Sequence, residues 1–298
     1  MAYFDIKGVL PPMITPFTED GKVDYESFIK NIEKWNETNL RGYLVLGSNG
    51  ETPYIPDKDK IELVKVTAKY AAKDKLIMAG TGLESTYETI ELTKRAADAG
   101  AECSLILTPN YYGDQMGDDA QIDYFTRVAD ASPIPILIYN VTKYTHVNIS
   151  PKAVSTLSKH PNIIGMKDSS GNIVQLISFM TKGYDKEFNL LVGTASAWYP
   201  ALAIGIEGAI VALANCCPNE SVEIQTLYNA GEHKKSFELY KRMFPVNACV
   251  TGAMGVPALK YASTRLGFFG GQPCSPLMPL NEAQIKQADE ILAKAELI

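Results

Sequence analysis

Lys167 is the residue of this sequence whose type and setting point most directly to chemistry. It follows the apolar run 163–166 and precedes the polar segment 168–171, which puts an amine where a buried strand opens into a helix-capping turn. Only a neutral amine is nucleophilic, and bringing the pKa of a lysine from about 10.4 to about 7 costs roughly 4 to 5 kcal/mol. Proteins carry that cost where the amine must form a Schiff base with a carbonyl substrate. The alternative is a strand-end lysine that reaches solvent.

The neighbours of Lys167 in the predicted strands favour the nucleophile. Consecutive strand residues point to opposite faces, so we expect the carboxylate of Asp168 to face away and to leave the amine in apolar company. Tyr139 ends the preceding apolar run. From the adjacent strand, its hydroxyl could carry protons as a carbinolamine forms and collapses.

Polar segments also follow other apolar runs, which is where a barrel enzyme carries its site. The turn 47–52 begins with Gly47, Ser48 and Asn49, whose glycine allows a tight turn and whose hydroxyl and amide can bind a carboxylate. Taken alone, such a segment is also typical of an ordinary turn. The other segments of this kind are residues 108–113, 139–141 and 193–196.

The elements that position these residues alternate along the chain. Short apolar runs and amphipathic helical patterns follow one another in eight units. Eight units predict a (β/α)8 TIM barrel, whereas a doubly wound sheet would usually carry a Gly-x-Gly-x-x-Gly turn after its first strand. The predicted strands are 9–15, 42–46, 76–79, 104–107, 134–139, 163–166, 190–192 and 209–213.

The chain after the eighth predicted strand has a helical pattern throughout. We interpret it as the eighth barrel helix plus a C-terminal helical extension, with the barrel at 1–230 and the extension at 231–298. Ser85 with Glu88 and Asn281 with Gln284 have capping-box spacing, which predicts helix starts at both places. The predicted C-terminal helices are 221–229, 233–244, 257–266 and 282–295.

Composition narrows the class of partner. The 298 residues are 46% hydrophobic, and a net charge of -6 without a Lys and Arg cluster argues against nucleic acid and anionic membranes. Residues 1–17 hold no targeting segment, and Gly205 and Gly208 break the apolar stretch 198–217, so we predict a cytoplasmic protein that does not enter membranes. The five cysteines and three histidines lack ligand spacing, which predicts no metal site.

Together the motifs resemble the dihydrodipicolinate synthase and N-acetylneuraminate lyase family of pyruvate-handling, Schiff-base-forming barrels. Residues 47–51 (Gly-Ser-Asn-Gly-Glu) are similar to its Gly-[Ser/Thr]-x-Gly-Glu turn, and residues 139–141 (Tyr-Asn-Val) to its Tyr-Asn-x-Pro turn. Residues 163–168 (Ile-Ile-Gly-Met-Lys-Asp) are similar to its Schiff-base strand. The resemblance covers nearly the whole chain.

The resemblance implies a role for each candidate residue. Lys167 forms the imine with pyruvate, Tyr139 relays protons, and Tyr111 completes the relay in a neighbouring subunit. No cofactor is implied, because the covalent imine itself is the electron sink, and the role of Tyr111 implies a homodimer or a homotetramer built from dimers. The implied substrate-binding residues are Gly47, Ser48, Asn49, Ser169 and Ile210, the last through its main-chain carbonyl.

Within the family, the pattern most resembles 4-hydroxy-2-oxoglutarate aldolases. Dihydrodipicolinate synthases carry an arginine five residues after the strand-five tyrosine, where this chain has Tyr144, and Thr142 replaces the family's proline. We therefore predict a class I lyase that cleaves 4-hydroxy-2-oxoglutarate to pyruvate and glyoxylate. The alternatives are a 4-hydroxy-tetrahydrodipicolinate synthase acting on pyruvate and aspartate semialdehyde, a 2-keto-3-deoxy sugar acid aldolase or dehydratase, and an oxo-acid-binding barrel without turnover.

Overall fold

The structure is a computed structural model that describes residues 4–184 and 187–298. Within these residues the chain forms eight β-strands, which alternate with helices as predicted. The strands are β1 Gly8–Leu10, β2 Gly42–Val45, β3 Leu76–Gly80, β4 Cys103–Leu107, β5 Ile136–Asn140, β6 Ile163–Asp168, β7 Asn189–Val192 and β8 Gly208–Ile210. The helices are α1 Tyr25–Asn36, α2 Asp57–Tyr70, α3 Thr86–Asp98, α4 Asp118–Ala131, α5 Thr142–Thr145, α6 Pro151–Leu157, α7 Ile173–Lys182, α8 Trp198–Ala203, α9 Pro218–Asn229, α10 His233–Pro245, α11 Gly255–Arg265 and α12 Glu282–Lys294.

The strands belong to one sheet in the order β1-β8-β7-β6-β5-β4-β3-β2. Each strand therefore lies beside its neighbours in chain order, and the first strand lies beside the last. This is the strand order of a (β/α)8 barrel, and the predicted fold class is confirmed. Strands of such a sheet are buried on both faces, which explains why all five residues of β5 are buried and why the apolar runs were visible in the sequence.

Contacts within the chain divide it into two compact units. The first unit consists of Ile77–Ala209 with the N-terminal residues up to Lys7, and the second consists of Gly8–Leu76 and Ile210–Ile298. The predicted boundary between a barrel and an extension at residue 230 stays a prediction.

In the first unit, β4 to β7 place their carboxyl ends at the same edge of the sheet. Tyr139 pairs with Leu107 on one side and with Lys167 on the other, and Lys167 pairs with Leu191. The predicted strand 163–166 was too short, because β6 continues to Asp168 and Lys167 lies inside it. The prediction that Lys167 lies near the carboxyl end of this strand is correct, but the residue lies within β6 and not in the turn that follows it.

The first and last strands of the sheet are shorter than predicted. β1 ends at Leu10 because Pro11 and Pro12 have no N–H to donate, although Pro12 still forms an isolated parallel bridge with Leu44. β8 ends at Ile210, and the next residues turn into the 3-10 helix Ala212–Asn215. Both strands therefore end earlier in the chain than predicted.

The helices after β8 begin and end within three residues of the predicted positions. The capping box of Asn281 and Gln284 is confirmed in both directions, and the side chain of Ser85 accepts from the N–H of Glu88. A π-helical segment, Val246–Ala253, was not predicted. No helix in the described parts of the chain is long and apolar enough to cross a membrane.

Candidate active site

Lys167 is the centre of the candidate site in the first unit. Its side chain is 3% exposed, and burial alone lowers the pKa of the amine from 10.5 to about 7. Its Nζ lies 4.3 Å from the centroid of the Tyr139 ring on the neighbouring strand. The two residues are register partners, so the sheet itself holds the amine against the phenol. A large share of the amine is thus neutral near pH 7, which is the form that attacks carbonyl carbon.

Asp168 follows Lys167 but directs its carboxylate to other groups. Its Oδ2 accepts hydrogen bonds from Asn140 Nδ2 at 2.7 Å and Gln175 Nε2 at 2.8 Å. Its Oδ1 accepts from the main-chain N–H of Ser170 at 3.0 Å and from the Ser170 hydroxyl. Asn140 follows Tyr139 as Asp168 follows Lys167, so the alternation of strand residues places this polar network on the opposite face from the amine.

Two buried hydroxyls lie at the carboxyl ends of β4 and β6, the strands on either side of β5. Thr108 Oγ1 and Ser169 Oγ have no hydrogen-bond partner among the residues that the structure describes. A Cβ on Gly193 would lie 1.8 Å from Ser169 Oγ, so that position requires glycine. Buried hydroxyls normally find partners, so these two are available to a bound polar molecule. Thr108 was not singled out from the sequence, although it is the first polar residue after β4.

Tyr111 lies in a loop after β4 and is 78% exposed. The Glu84 carboxylate holds this loop by accepting from the N–H groups of Asn110 and Tyr111, both at 2.9 Å, and from Asn110 Nδ2 at 2.7 Å. The Tyr111 ring also packs edge-on against Tyr112, with centroids 5.0 Å apart. The loop is therefore fixed although its tyrosines face outward, as a residue donated to another subunit would require.

In the second unit, the turn 47–51 follows β2 and contains the 3-10 helix Ser48–Gly50. Ser48 and Asn49 are half-buried. Leu46 and Glu51, at the two ends of the turn, have left-handed φ angles of 60° and 59°, which side chains with a Cβ rarely adopt. A Cβ on Gly50 would lie 2.9 Å from the main-chain oxygen of Met13. Glycine is therefore needed where the turn packs on the chain after β1.

A buried ion pair holds the end of this turn and was not predicted. Lys260 Nζ, from α11, lies 2.5 Å from Glu51 Oε1, and each side chain is 1% exposed. Burial lowers the pKa of Lys260, and the Glu51 carboxylate opposes that shift. The signal in the sequence was a lone lysine among the apolar residues of a helix that buries Ala258, Leu259 and Ala262.

Ile210, the remaining candidate, is the last residue of β8 and is fully buried. The next residue, Val211, donates its N–H to the carbonyl of Leu10 at 3.1 Å. Within residues 4–184 and 187–298, no three His, Cys, Asp or Glu side chains come together as a metal-binding group.

Comparison with known proteins now places these features in a family. The model of the dihydrodipicolinate synthetase family matches residues 5–295. The chain belongs to this family. A relative named 4-hydroxy-tetrahydrodipicolinate synthase, from Methanothrix thermoacetophila, is 33% identical over 97% of this chain and 96% of its own. Another of that name, from Archaeoglobus fulgidus, is 31% identical over 98% of this chain and 99% of its own.

Solved structures of the dihydrodipicolinate synthetase family have the same fold. The chloride-inhibited dihydrodipicolinate synthase of Acinetobacter baumannii, in complex with pyruvate, gives a TM-score of 0.93 at 26% identity, covering 99% of this chain and 100% of that one. The dihydrodipicolinate synthase DapA-2 of Bacillus anthracis gives 0.92 at 26% identity, covering 97% and 98%. The predicted resemblance and the prediction of a carbon–carbon lyase are thus confirmed. The names of these relatives match the alternative activity from the sequence, not the predicted 4-hydroxy-2-oxoglutarate cleavage.

Proposed function

We propose that this chain forms a Schiff base between Lys167 and pyruvate. The observation that carries the proposal is a fully buried amine whose pKa is lowered to about 7 and whose register partner is Tyr139. An exposed lysine would be almost entirely protonated at that pH. The apolar setting therefore supplies a neutral nucleophile without a neighbouring base.

The reaction follows from these two side chains. The neutral amine attacks C2 of pyruvate, and the Tyr139 hydroxyl passes protons as the carbinolamine forms and loses water to give the protonated imine. Loss of a proton from C3 gives an enamine, which adds to the carbonyl carbon of an aldehyde. Hydrolysis of the imine then releases the product and restores the amine. The reverse sequence cleaves a 4-hydroxy-2-oxo acid, and the iminium takes the place of a cofactor in both directions.

The other candidate residues would hold the pyruvate half. Ser48 and Asn49, in the turn that begins at Gly47, would bind its carboxylate through hydroxyl and amide groups. Ser169 fits this role because its buried hydroxyl has no partner among the described residues. The carbonyl of Ile210 would lie near the bound substrate.

For the second substrate, we place aspartate semialdehyde first, because relatives 31–33% identical to this chain are named 4-hydroxy-tetrahydrodipicolinate synthase. One observation favours 4-hydroxy-2-oxoglutarate instead. Tyr144 occupies the place of the arginine expected of dihydrodipicolinate synthases, in the short helix α5. The pKa of the Tyr144 hydroxyl is raised by burial and, to a smaller extent, by Tyr139, so this position presents a neutral hydroxyl near the catalytic phenol.

We also propose that the protein acts as a homodimer or a homotetramer built from dimers. Tyr111 is outward-facing and its loop is held by Glu84, which supports a role in the site of a second copy. A cytoplasmic location stays a prediction from the sequence.

The deciding experiment is sodium borohydride treatment in the presence of pyruvate, followed by intact mass and peptide mapping. We expect one reduced pyruvyl adduct per chain, on the Lys167 peptide, and none in Lys167→Met. An unlabelled Lys167 would overturn the proposal. Coupled assays with aspartate semialdehyde and with 4-hydroxy-2-oxoglutarate then rank the two second substrates, and the larger kcat/KM decides between them.

A further inference from the structure

The ion pair of Lys260 and Glu51 joins separate segments of the second unit. Besides Glu51, Lys260 Nζ donates to the main-chain oxygen of Gln272 at 2.6 Å and lies 4.5 Å from the centroid of the Phe17 ring. The second carboxylate oxygen, Glu51 Oε2, accepts from the N–H of Cys274 at 2.7 Å. All of these contacts are internal to the second unit, and they tie the end of the turn to two other parts of it.

A buried ion pair of this kind fixes the positions of the groups that it joins and contributes little to the free energy of unfolding. Removing two charges from water costs several kcal/mol per ion, so a buried pair is often no more stabilising than apolar residues of the same size. The close contact of the two charges, with the charge-assisted hydrogen bonds from Lys260 to Gln272 and from the Cys274 N–H to Glu51, nevertheless fixes the groups that it joins.

The group that Lys260 fixes is the end of the turn 47–51. Glu51 is the last residue of this turn and, like Leu46 at its start, has a left-handed backbone that a side chain disfavours. Its carboxylate is anchored from two sides, by Lys260 on α11 and by the Cys274 N–H. Ser48 and Asn49 lie between the two strained ends.

We propose that Lys260 is a positioning residue for the carboxylate-binding turn of the lyase. Through Glu51 it holds the left-handed end of the turn, so that the Ser48 hydroxyl and the Asn49 amide keep the orientation that binds the carboxylate of pyruvate. This inference rests on the proposed pyruvate chemistry. Lys260 itself is not the nucleophile of this proposal, because its amine is bound by the Glu51 carboxylate and by the main-chain oxygen of Gln272.

The test removes the pair without leaving a single buried charge. In the double variant K260M/E51Q, the amide oxygen introduced by E51Q can still accept from the Cys274 N–H, and methionine replaces the lysine stem with little change in volume. We measure the pyruvate concentration that gives half-maximal borohydride labelling of Lys167, together with the maximal extent of labelling. We expect the half-saturating concentration to rise about tenfold, a free-energy change of about 1.4 kcal/mol, with the maximal extent unchanged.

Lys75 provides the matched control. It is another buried lysine of the same unit, lies just before β3, and has a side chain that is 4% exposed. Its Nζ donates to the carbonyls of Thr38 at 2.8 Å and Leu40 at 3.0 Å. Lys75→Met should lower the melting temperature and leave the half-saturating pyruvate concentration within about twofold of wild type. All labelling is done well below the melting temperature of each variant.

The outcomes separate the two proposals. No adduct in wild type would overturn the pyruvate chemistry and this inference with it. An adduct in wild type with the same half-saturation in K260M/E51Q would overturn the positioning role alone, as would an equal rise in Lys75→Met. A rise confined to K260M/E51Q supports the positioning role.

Discussion

The two units of this chain each bury a lysine, and burial lowers the pKa of both, but only at Lys260 does a carboxylate oppose that shift. Lys167 is 3% exposed and Lys260 is 1% exposed, and each amine lies over an aromatic ring, that of Tyr139 or that of Phe17. Lys260 also has the Glu51 carboxylate at 2.5 Å. For Lys167, burial is the only cause of the lowered pKa, whereas Glu51 acts against burial at Lys260.

The difference shows that burial by itself does not identify a nucleophilic lysine. A carboxylate that faces the amine opposes the effect of burial on its pKa, as Glu51 does at Lys260. Asp168 is next to Lys167 in the chain, but its carboxylate is occupied by Asn140, Gln175 and Ser170. The strand alternation that turns Asp168 away therefore leaves burial to lower the pKa of Lys167 unopposed.

The largest expected effect is on the free energy of unfolding, which substitution of Lys167 should raise and substitution of Lys260 should lower. Lys167→Met should raise the free energy of unfolding by about 4 kcal/mol near pH 7, because the folded state no longer contains an amine with a depressed pKa. Lys260→Met should lower it by about 3 to 5 kcal/mol, because Glu51 is left as an unpaired buried charge. Urea unfolding of both variants beside wild type measures the two changes.

The pH dependence of the same measurement provides its control. The pKa of Lys167 is about 7 in the folded protein and 10.5 in an unfolded chain, so the unfolded state binds more protons between these values. Wild-type stability should therefore gain from this residue as pH rises through that window, and the advantage of Lys167→Met should be complete below pH 7 and lost near pH 10.5. If Lys167→Met and Lys260→Met changed the free energy of unfolding in the same direction, the two amines would not differ in their electrostatic surroundings.

The sequence predicted the fold well because its evidence was periodic. Eight apolar runs and the helical patterns between them are visible without a structure, since strands buried on both faces are continuously apolar. The errors were at element ends, as in β1, where Pro11 and Pro12 stop the ladder at Leu10. Ends depend on which N–H groups find partners across the sheet, and hydrophobic patterns do not report that.

The site was predictable only where motif residues are close in sequence. Lys167, Tyr139 and the turn 47–51 are each marked by a polar residue after an apolar run. The partner of Glu51 lies far along the chain at Lys260, and no local spacing connects the two. Thr108 could not be identified from local sequence either. Its distinguishing feature is a buried hydroxyl without a partner among the described residues, and only the structure shows this.

Tyr139→Phe tests whether the residue beside Lys167 contributes its ring or its hydroxyl. The ring that contacts the amine is retained, so the pKa of Lys167 should change little, while the loss of the proton relay should slow turnover roughly 10²-fold or more. Tyr124→Phe is the matched control, because it removes another buried hydroxyl of the first unit, one that bonds Thr89 at 2.9 Å. Turnover by Tyr139→Phe within about threefold of wild type would assign the relay to another group.

The pH profile of imine formation tests the contrast between the two lysines most directly. The rate of pyruvate labelling at low pyruvate should follow the neutral fraction of Lys167, which is about one half at the pKa of about 7. That fraction rises from about 1% at pH 5 to about 90% at pH 8, so the rate should rise roughly a hundredfold and then level off. An amine with the ordinary lysine pKa of about 10.4 would instead give a rate that still increases at pH 9.

Rapid-quench labelling from pH 5 to pH 9 distinguishes the two profiles. K260M/E51Q should share the wild-type midpoint, because its lost charges are not those that set the pKa of Lys167. A midpoint above pH 9 in wild type would mean that Lys167 has a counter-ion after all, and the contrast between the two lysines would disappear.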